Sequence, residues 1–102
     1  MPPAKAIVID PADNVATALV AIHADERVAL KGSAPIRSLT VLDPIPPGHK
    51  FSLRPIGPGR PVTKYGESIG RTTAPIETGR HVHVHNVESR RGRGDRPEGA
   101  PP

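Results

Sequence analysis

The sequence predicts a small, mainly β domain with one short helix. Short segments rich in Val, Ile, Leu and Ala alternate with polar residues, as expected of strands with one buried face. The 14 Pro and 10 Gly residues stand mostly one at a time between these segments, where they mark turns. With 102 residues, one Phe, one Tyr and no Trp, the chain can build one modest aliphatic core.

The first two elements are predicted as a strand followed by a helix. Residues 4–9 are rich in branched apolar side chains, and they favour a strand that ends at Asp10. Asp13 has the character of a helix N-cap. The helix is predicted over residues 14–23, because the apolar residues in it recur at the spacing of one helical face. These residues are Val15, Ala18, Leu19 and Ile22.

The rest of the domain is predicted as short strands, each bounded by Gly or Pro. They cover residues 27–30, 37–42, 50–54, 62–65 and 80–87. A single helix among so many strands is too little for a parallel α/β sheet. We therefore expect a compact, twisted, partly closed β domain over residues 1–89.

Residues 90–102 differ from the rest of the chain and are predicted to be a disordered basic tail. They contain no large apolar residue and so cannot contribute to a core. Four Arg against Asp95 and Glu98 supply half of the formal net charge of +4. The tail has no aromatic residue for stacking on bases, so we expect a solubilising segment and no nucleic-acid partner.

Several classes of function are excluded or disfavoured by what the sequence lacks. The absence of Cys excludes disulfides, thiolate metal sites and a cysteine nucleophile. The N-terminus has no apolar run suited to a signal peptide or a membrane span, so a cytoplasmic location without a membrane partner is expected. A Gly-rich phosphate loop and a nucleophile elbow are also missing. Without these motifs, the sequence indicates either one part of a larger catalyst or a binding module, and it does not decide between the two.

The turn motif Pro-Ile-x-x-Gly occurs three times, at residues 44–48, 55–59 and 75–79. Pro sets φ for a turn, and Gly can take the positive φ that other residues avoid. The residues that follow the three motifs are His49, Arg60 and Arg80. The simpler interpretation is three loops that each deliver a strand. The alternative is that some of these turns present cations on a common edge.

The stretch from His81 to Asn86 reads His-Val-His-Val-His-Asn. In an extended strand the three histidines would share one face, and the two valines would face the core. Neighbouring histidines would lie about 7 Å apart, so a metal would use one His-x-His pair plus ligands from elsewhere. The candidate metal ligands are His81, His83 and His85, in a site shared with another protein. The alternative is a solvated or subunit-facing histidine row.

Two further pairs of residues are candidates for substrate binding. In an extended strand His49 lies on the same face as Phe51 and Leu53, so it is either a ligand-binding residue or a semi-buried structural one. Lys50 lies on the other face and is a candidate cation for binding a carboxylate. Lys64 and Tyr65 offer a cation and a phenol that could bind a polyol acid or polarise a leaving hydroxyl. The alternative is a solvated Lys64 and a Tyr65 that packs at a rim.

A resemblance to a known family is carried by five motifs in order along residues 5–88. The chain resembles the small N-terminal domain of the altronate/galactarate dehydratase family. The motifs are Asp-Asn-Val-Ala at 13–16, Ile-Pro-Pro-Gly-His-Lys-Phe at 45–51, Lys-Tyr-Gly at 64–66, Ile-Gly at 69–70 and Gly-Arg-His-Val-His-Val-His-Asn at 79–86.

The resemblance implies a SAF-type β-clip fold and a role as the small accessory subunit of a sugar-acid dehydratase. It implies a large dehydratase subunit as partner, a hexonate-type sugar acid as substrate, and a divalent metal, iron or manganese, held mainly by the large subunit. Substrate-binding residues would be His49, Lys50, Lys64, Tyr65 and Asn86. The isolated chain is then expected to be inactive, because dehydration needs both a base and an electrophile.

Two other functions are compatible with the same residues. Some relatives with two subunits resemble sulfolactate sulfo-lyases, so sulfite could be the leaving group instead of water. From a different class, the chain could be a non-catalytic SAF-type module that binds an anionic sugar or peptide. The sequence also leaves open a homo-oligomer.

Overall fold

The computed structural model describes residues 3–89, and the predicted tail at 90–102 lies outside them. Nine strands form in the described part of the chain. They are β1 (Ala6–Val8), β2 (Val15–Ala18), β3 (Glu26–Gly32), β4 (Ser38–Val41), β5 (Lys50–Ser52), β6 (Pro61–Lys64), β7 (Glu67–Thr72), β8 (His81–Val82) and β9 (Val87–Ser89). The mainly β class is therefore confirmed. None of the described residues is helical, so no membrane-spanning helix occurs among them.

The strands form two sheets, one of six strands in the order β4-β3-β1-β2-β5-β8 and one of three in the order β6-β7-β9. Strand β1 pairs in parallel with β3, and the other pairs are antiparallel. The larger buried cluster surrounds Phe51 and Val28, which are fully buried. The second cluster gathers residues from β2, β6, β8 and two of the turns: Val15, Ile56, Val62, Ile76 and Val82.

The predicted helix over residues 14–23 is wrong. Residues Val15–Ala18 form β2, which lies between β1 and β5. Val15 packs in the second cluster and Ala16 in the first, so both faces of this strand are buried. A strand buried on both faces loses the alternation that marks strands in a sequence. The helical spacing of the apolar residues was therefore coincidental, and Asp13 caps no helix.

The three Pro-Ile-x-x-Gly motifs are turns that each lead into a strand, as the simpler interpretation held. Their glycines have positive φ angles between 72° and 84°, and β5, β6 and β8 begin within two residues of them. The isoleucines are buried, and Ile56 pairs with Ile76 in an isolated bridge. At Gly79 a side chain is excluded by a close approach as well, because a Cβ there would lie 2.4 Å from the Thr40 carbonyl oxygen.

The predicted single strand over residues 80–87 is also wrong, because the chain turns in the middle of it. Strand β8 ends at Val82, and β9 begins at Val87 in the other sheet. Val82 is fully buried, as predicted, but Val84 lies in the turn and is 82% exposed. The assignment of Val84 to the core is therefore wrong. We call residues 83–86 the histidine turn.

Candidate functional site

Three histidine rings from two distant segments stack against one another. His49 directly precedes β5, His81 begins β8, and His83 opens the histidine turn. Because β5 and β8 pair with Phe51 opposite His81, the two segments are side by side. The ring centroids lie 4.0 Å apart for His49–His83 and 5.1 Å apart for His49–His81, with 15° between the planes in each case. We call these three residues the histidine cluster.

The ring nitrogens of the histidine cluster are close enough to act together. His49 Nδ1 lies 2.8 Å from His81 Nε2, so one nitrogen donates a hydrogen bond to the other. One nitrogen from each of the three rings lies within 4.8 Å of the others. Neutral imidazole nitrogen is a common ligand for first-row divalent metals. The donor set therefore fits such an ion.

His85 lies beside His81 but does not belong to the group of three rings whose nitrogens lie within 4.8 Å of one another, although the sequence prediction grouped it with His81 and His83. Its side chain is exposed, and its ring centroid lies 5.1 Å from that of His81 at a tilt of 31°. The chain turns after Val82, so the three histidines do not share one strand face. The structure brings together His81 and His83, as expected of a His-x-His pair, and adds His49.

The environment of the histidine cluster favours neutral rings. Burial, and then the neighbouring imidazoles of His85, His49 and His83, lower the pKa of His81. The pKa of His83 is lowered by burial first and then by His49, Lys50 and His85. A lowered pKa leaves the nitrogen lone pairs available at neutral pH.

Two side chains that accept or donate backbone hydrogen bonds hold the cluster in place. Asn86 donates from Nδ2 to the His81 carbonyl at 2.9 Å, and its Oδ1 accepts from the His83 N–H at 3.0 Å. Both polar atoms of the Asn86 amide therefore make hydrogen bonds that position His81 and His83. The predicted contact of Asn86 with substrate stays a prediction.

Asp43 is the second of these side chains, and the sequence prediction missed it. Its Oδ2 accepts from the His81 N–H at 2.9 Å, and its Oδ1 accepts from Arg80 at 3.0 Å. Burial alone would raise the pKa of Asp43, but these hydrogen bonds outweigh it and the pKa lies below its usual range. Arg80 also bonds Glu77. Asp43 is thereby committed to the backbone and to Arg80.

Lys50 is a half-buried cation beside the histidine cluster. Burial, followed by the charge of Lys64, lowers the pKa of the Lys50 ammonium. Within residues 3–89 no carboxylate forms an ion pair with Lys50. A cation that is partly desolvated without a counter-ion is a favourable place for an anion.

An open depression of about 160 Å³ lies next to Lys50. One side of the depression is lined by the polar side chains of Lys50 and His83. The apolar part of its lining consists of Ile69, Val84 and Val87. Ser89 completes the lining. The depression is large enough for a few heavy atoms of a small acid, and Val84 stands exposed at its border.

Lys64 and Tyr65 lie at the tip of the β6–β7 hairpin. Lys64 pairs with Glu67, so the loop between them has two residues, Tyr65 and Gly66, with φ angles of 57° and 75°. Positive φ at both positions is typical of a type I′ turn. Lys64 Nζ lies 4.9 Å from the centroid of the Tyr65 ring, which is 60% exposed. The exposed phenol is therefore available to a ligand or a partner.

Asp13 holds the tip of this hairpin, a role that differs from the predicted helix cap. Its carboxylate is almost fully buried, and it accepts hydrogen bonds from the backbone N–H groups of Tyr65 at 3.2 Å and Gly66 at 2.8 Å. The next residue, Asn14, accepts from Thr63 N at 2.8 Å. The Asp-Asn pair thus ties the start of β2 to the hairpin that carries Lys64.

Comparison with known proteins identifies the family. The model of the altronate/galactarate dehydratase SAF domain matches residues 4–90. The chain belongs to this family.

The SAF domain has relatives among curated proteins of two kinds. It is 47% identical over 51 residues to the (2R)-sulfolactate sulfo-lyase subunit alpha of Chromohalobacter salexigens, a match that covers 50% of this chain and 54% of that one. The corresponding subunit of Paracoccus pantotrophus is 43% identical over 53 residues, covering 52% and 79%. The altronate dehydratase of Escherichia coli is 40% identical over 77 residues, covering 76% of this chain.

The share of each relative that the SAF domain covers differs widely. It spans about half of the Chromohalobacter subunit, but only 15% of the altronate dehydratases of Escherichia coli and Bacillus subtilis. The same domain therefore occurs in small chains named as subunits and as a minor part of much longer dehydratases. The relatives are named sulfo-lyase subunits in the first case and dehydratases in the second.

Proposed function

We propose that this SAF domain is the small accessory component of a sugar-acid dehydratase of the altronate/galactarate type, and that it works in the cytoplasm. In this proposal it binds part of the substrate at an interface with a large catalytic chain, and it is inactive alone. The observation that carries the proposal is the half-buried Lys50, which faces a depression with no carboxylate partner in residues 3–89.

The charge and shape of the depression suit the acid end of such a substrate. During elimination a base removes the proton next to the carboxylate, and the leaving group departs from the following carbon. Negative charge builds on the carboxylate in that step, so fixed cations beside it stabilise the transition state. We assign this role to Lys50, supported by Lys64. We assign to the exposed Tyr65 phenol a hydrogen bond with a substrate hydroxyl.

The remainder of the catalytic machinery belongs to the proposed large chain. Dehydration requires both a base for the proton and an electrophile for the leaving hydroxyl, and we assign both to the large chain. A divalent metal, iron or manganese, is the proposed cofactor of the assembled enzyme. The exposed Val84 beside the depression is the proposed contact with the large chain, because an apolar side chain at a site border gains from being covered.

A second candidate function, the small subunit of a sulfolactate sulfo-lyase, is favoured by the matches to two subunit alpha chains. Sulfolactate carries a sulfonate as well as a carboxylate, so it would use the same cations. The two candidates differ in the leaving group, which is water for the sugar acid and sulfite for the sulfonate.

The test is reconstitution with a large dehydratase chain, which is sought first among the reading frames next to the one that encodes this chain. Altronate, galactarate and (2R)-sulfolactate are supplied in turn, and keto-acid product and sulfite are measured separately. We expect activity only when both chains are present. Lys50→Met is expected to raise KM by about tenfold or more, since a charge-assisted contact of roughly 1.5–3 kcal/mol is lost, and to lower kcat as well, since the charge that builds in the transition state loses its cation.

The matched control is Lys31→Met, which removes an exposed lysine from β3, three strands away from β5 in the sheet. It is expected to leave KM unchanged. Turnover by the isolated chain at the rate of the pair would refute the accessory role. Anion binding by the isolated chain, with no activity and no association with any large chain, would instead favour a non-catalytic binding module.

A further inference from the structure

We infer that this domain itself holds a first-row divalent metal ion through His49, His81 and His83. The inference concerns this chain alone and does not depend on the proposed lyase function. It differs from the sequence-based ligand set in that His49 replaces His85. The metal proposed here is also distinct from a cofactor held mainly by a large subunit, because all three of its protein ligands come from this chain.

The three rings converge from two segments of the chain. Their nitrogens lie within 4.8 Å of one another, whereas three nitrogens bound to one ion at about 2.1 Å are roughly 3–4 Å apart. An ion would therefore draw the nitrogens together by at most roughly 1–2 Å. The hydrogen bond between His49 Nδ1 and His81 Nε2 shows that two of these nitrogens already point at each other.

The backbone around the cluster is held from both sides. The pairing of β5 with β8 fixes His49 relative to His81. The Asn86 amide bridges the His81 carbonyl and the His83 N–H, and Asp43 accepts from the His81 N–H. These hydrogen bonds fix the backbone at His81 and His83, so the fold brings their rings together before any ion binds.

The chemistry of the three donors indicates the kind of ion. The three donors are neutral nitrogen ligands, and imidazole suits zinc, cobalt, nickel and iron, while magnesium and calcium prefer oxygen. Asp43 is committed to Arg80 and the His81 backbone. Three protein ligands leave coordination positions open for an anion, and Lys50 lies alongside His83 in the neighbouring depression.

The experiment is titration of the full chain, without a histidine tag, by Zn(II) in a calorimeter and by Co(II) followed by visible absorption. We expect one ion per chain and no binding of Mg(II). His49→Gln and His83→Gln are each expected to weaken Zn(II) binding by about 100-fold or more, since even the loss of an outer-shell partner costs about 10–100-fold. Melting of each variant in a chelator verifies that it folds.

Two other histidines serve as matched controls. His85→Gln removes the nearest histidine outside the cluster, and His23→Gln removes an exposed one on a loop before β3. Both are expected to change the Kd by less than about threefold. The inference is overturned if the wild-type chain binds no Zn(II), or if all four variants lose affinity equally. It is also overturned if His85→Gln abolishes binding while His49→Gln does not.

Discussion

Replacing Val82 by Asp is expected to unfold the domain, whereas the same change at Val84 is expected to leave it folded. Val82 is fully buried among apolar side chains of the second core cluster. An unpaired carboxylate there has no hydrogen-bond donor to compensate its desolvation, and the loss should exceed about 4 kcal/mol. That is most of the stability of a small domain.

Val84 provides a control of identical chemistry two residues away. It is 82% exposed, so Val84→Asp should change the free energy of unfolding by less than about 0.5 kcal/mol. Urea denaturation followed by circular dichroism measures both variants. Unfolding by both changes would mean that residues 80–87 form one strand with its valines inward, and a stable Val82→Asp would contradict the burial of Val82. If Val84 contacts a large chain, Val84→Asp will in addition weaken that association.

The second large effect is expected at Asp13. Asp13→Ala removes the acceptor for the N–H groups of Asp10, Tyr65 and Gly66. Each buried donor left without a partner costs about 1–3 kcal/mol. Water at the exposed end of the hairpin offsets part of this cost, so we expect the free energy of unfolding to fall by about 3 kcal/mol. Lys64 and Tyr65 should also become less ordered, which hydrogen exchange of the hairpin amides would reveal.

The control for Asp13 is Glu67→Ala, which removes the same charge from an exposed position on the same hairpin. It should change stability by less than about 0.5 kcal/mol. The stability of Asp13→Asn is expected to lie between those of Asp13→Ala and Glu67→Ala. An amide keeps one oxygen acceptor, but its NH₂ group faces the remaining N–H donors. Equal stability of Asp13→Ala and Glu67→Ala would show that the carboxylate does not hold the hairpin.

Much of the fold could be predicted because its strands follow local patterns. The segment near Ala6, the segments at 37–42 and 50–54, and the turn glycines all carry their signal within a few residues. Strand β2 could not be recognised, because burial on both faces leaves no alternation. Strand β7 was missed as well, because its sequence is mixed in polarity and shows no clear alternation. Its place in the sheet depends on pairing with β6 and β9.

The candidate site was predictable in its residue types but not in its grouping. The His-x-His spacing indicated that two histidines act together, and His81 and His83 are indeed adjacent. The break after Val82 depends on the Asn86 side chain bonding the backbone, which strand parity does not foresee. The place of His49 depends on pairing between β5 and β8, which are about 30 residues apart in the sequence.

That long separation has a consequence for how the domain folds. Bringing β8 beside β5 closes a large loop, and such non-local pairings cost chain entropy before they yield contacts, so they form slowly. The histidine cluster has no counterpart in a partly folded chain, because His49 and the segment from His81 to His83 meet only in that pairing. Any ligand of all three rings will therefore bind the completed native state alone and shift the folding equilibrium toward it.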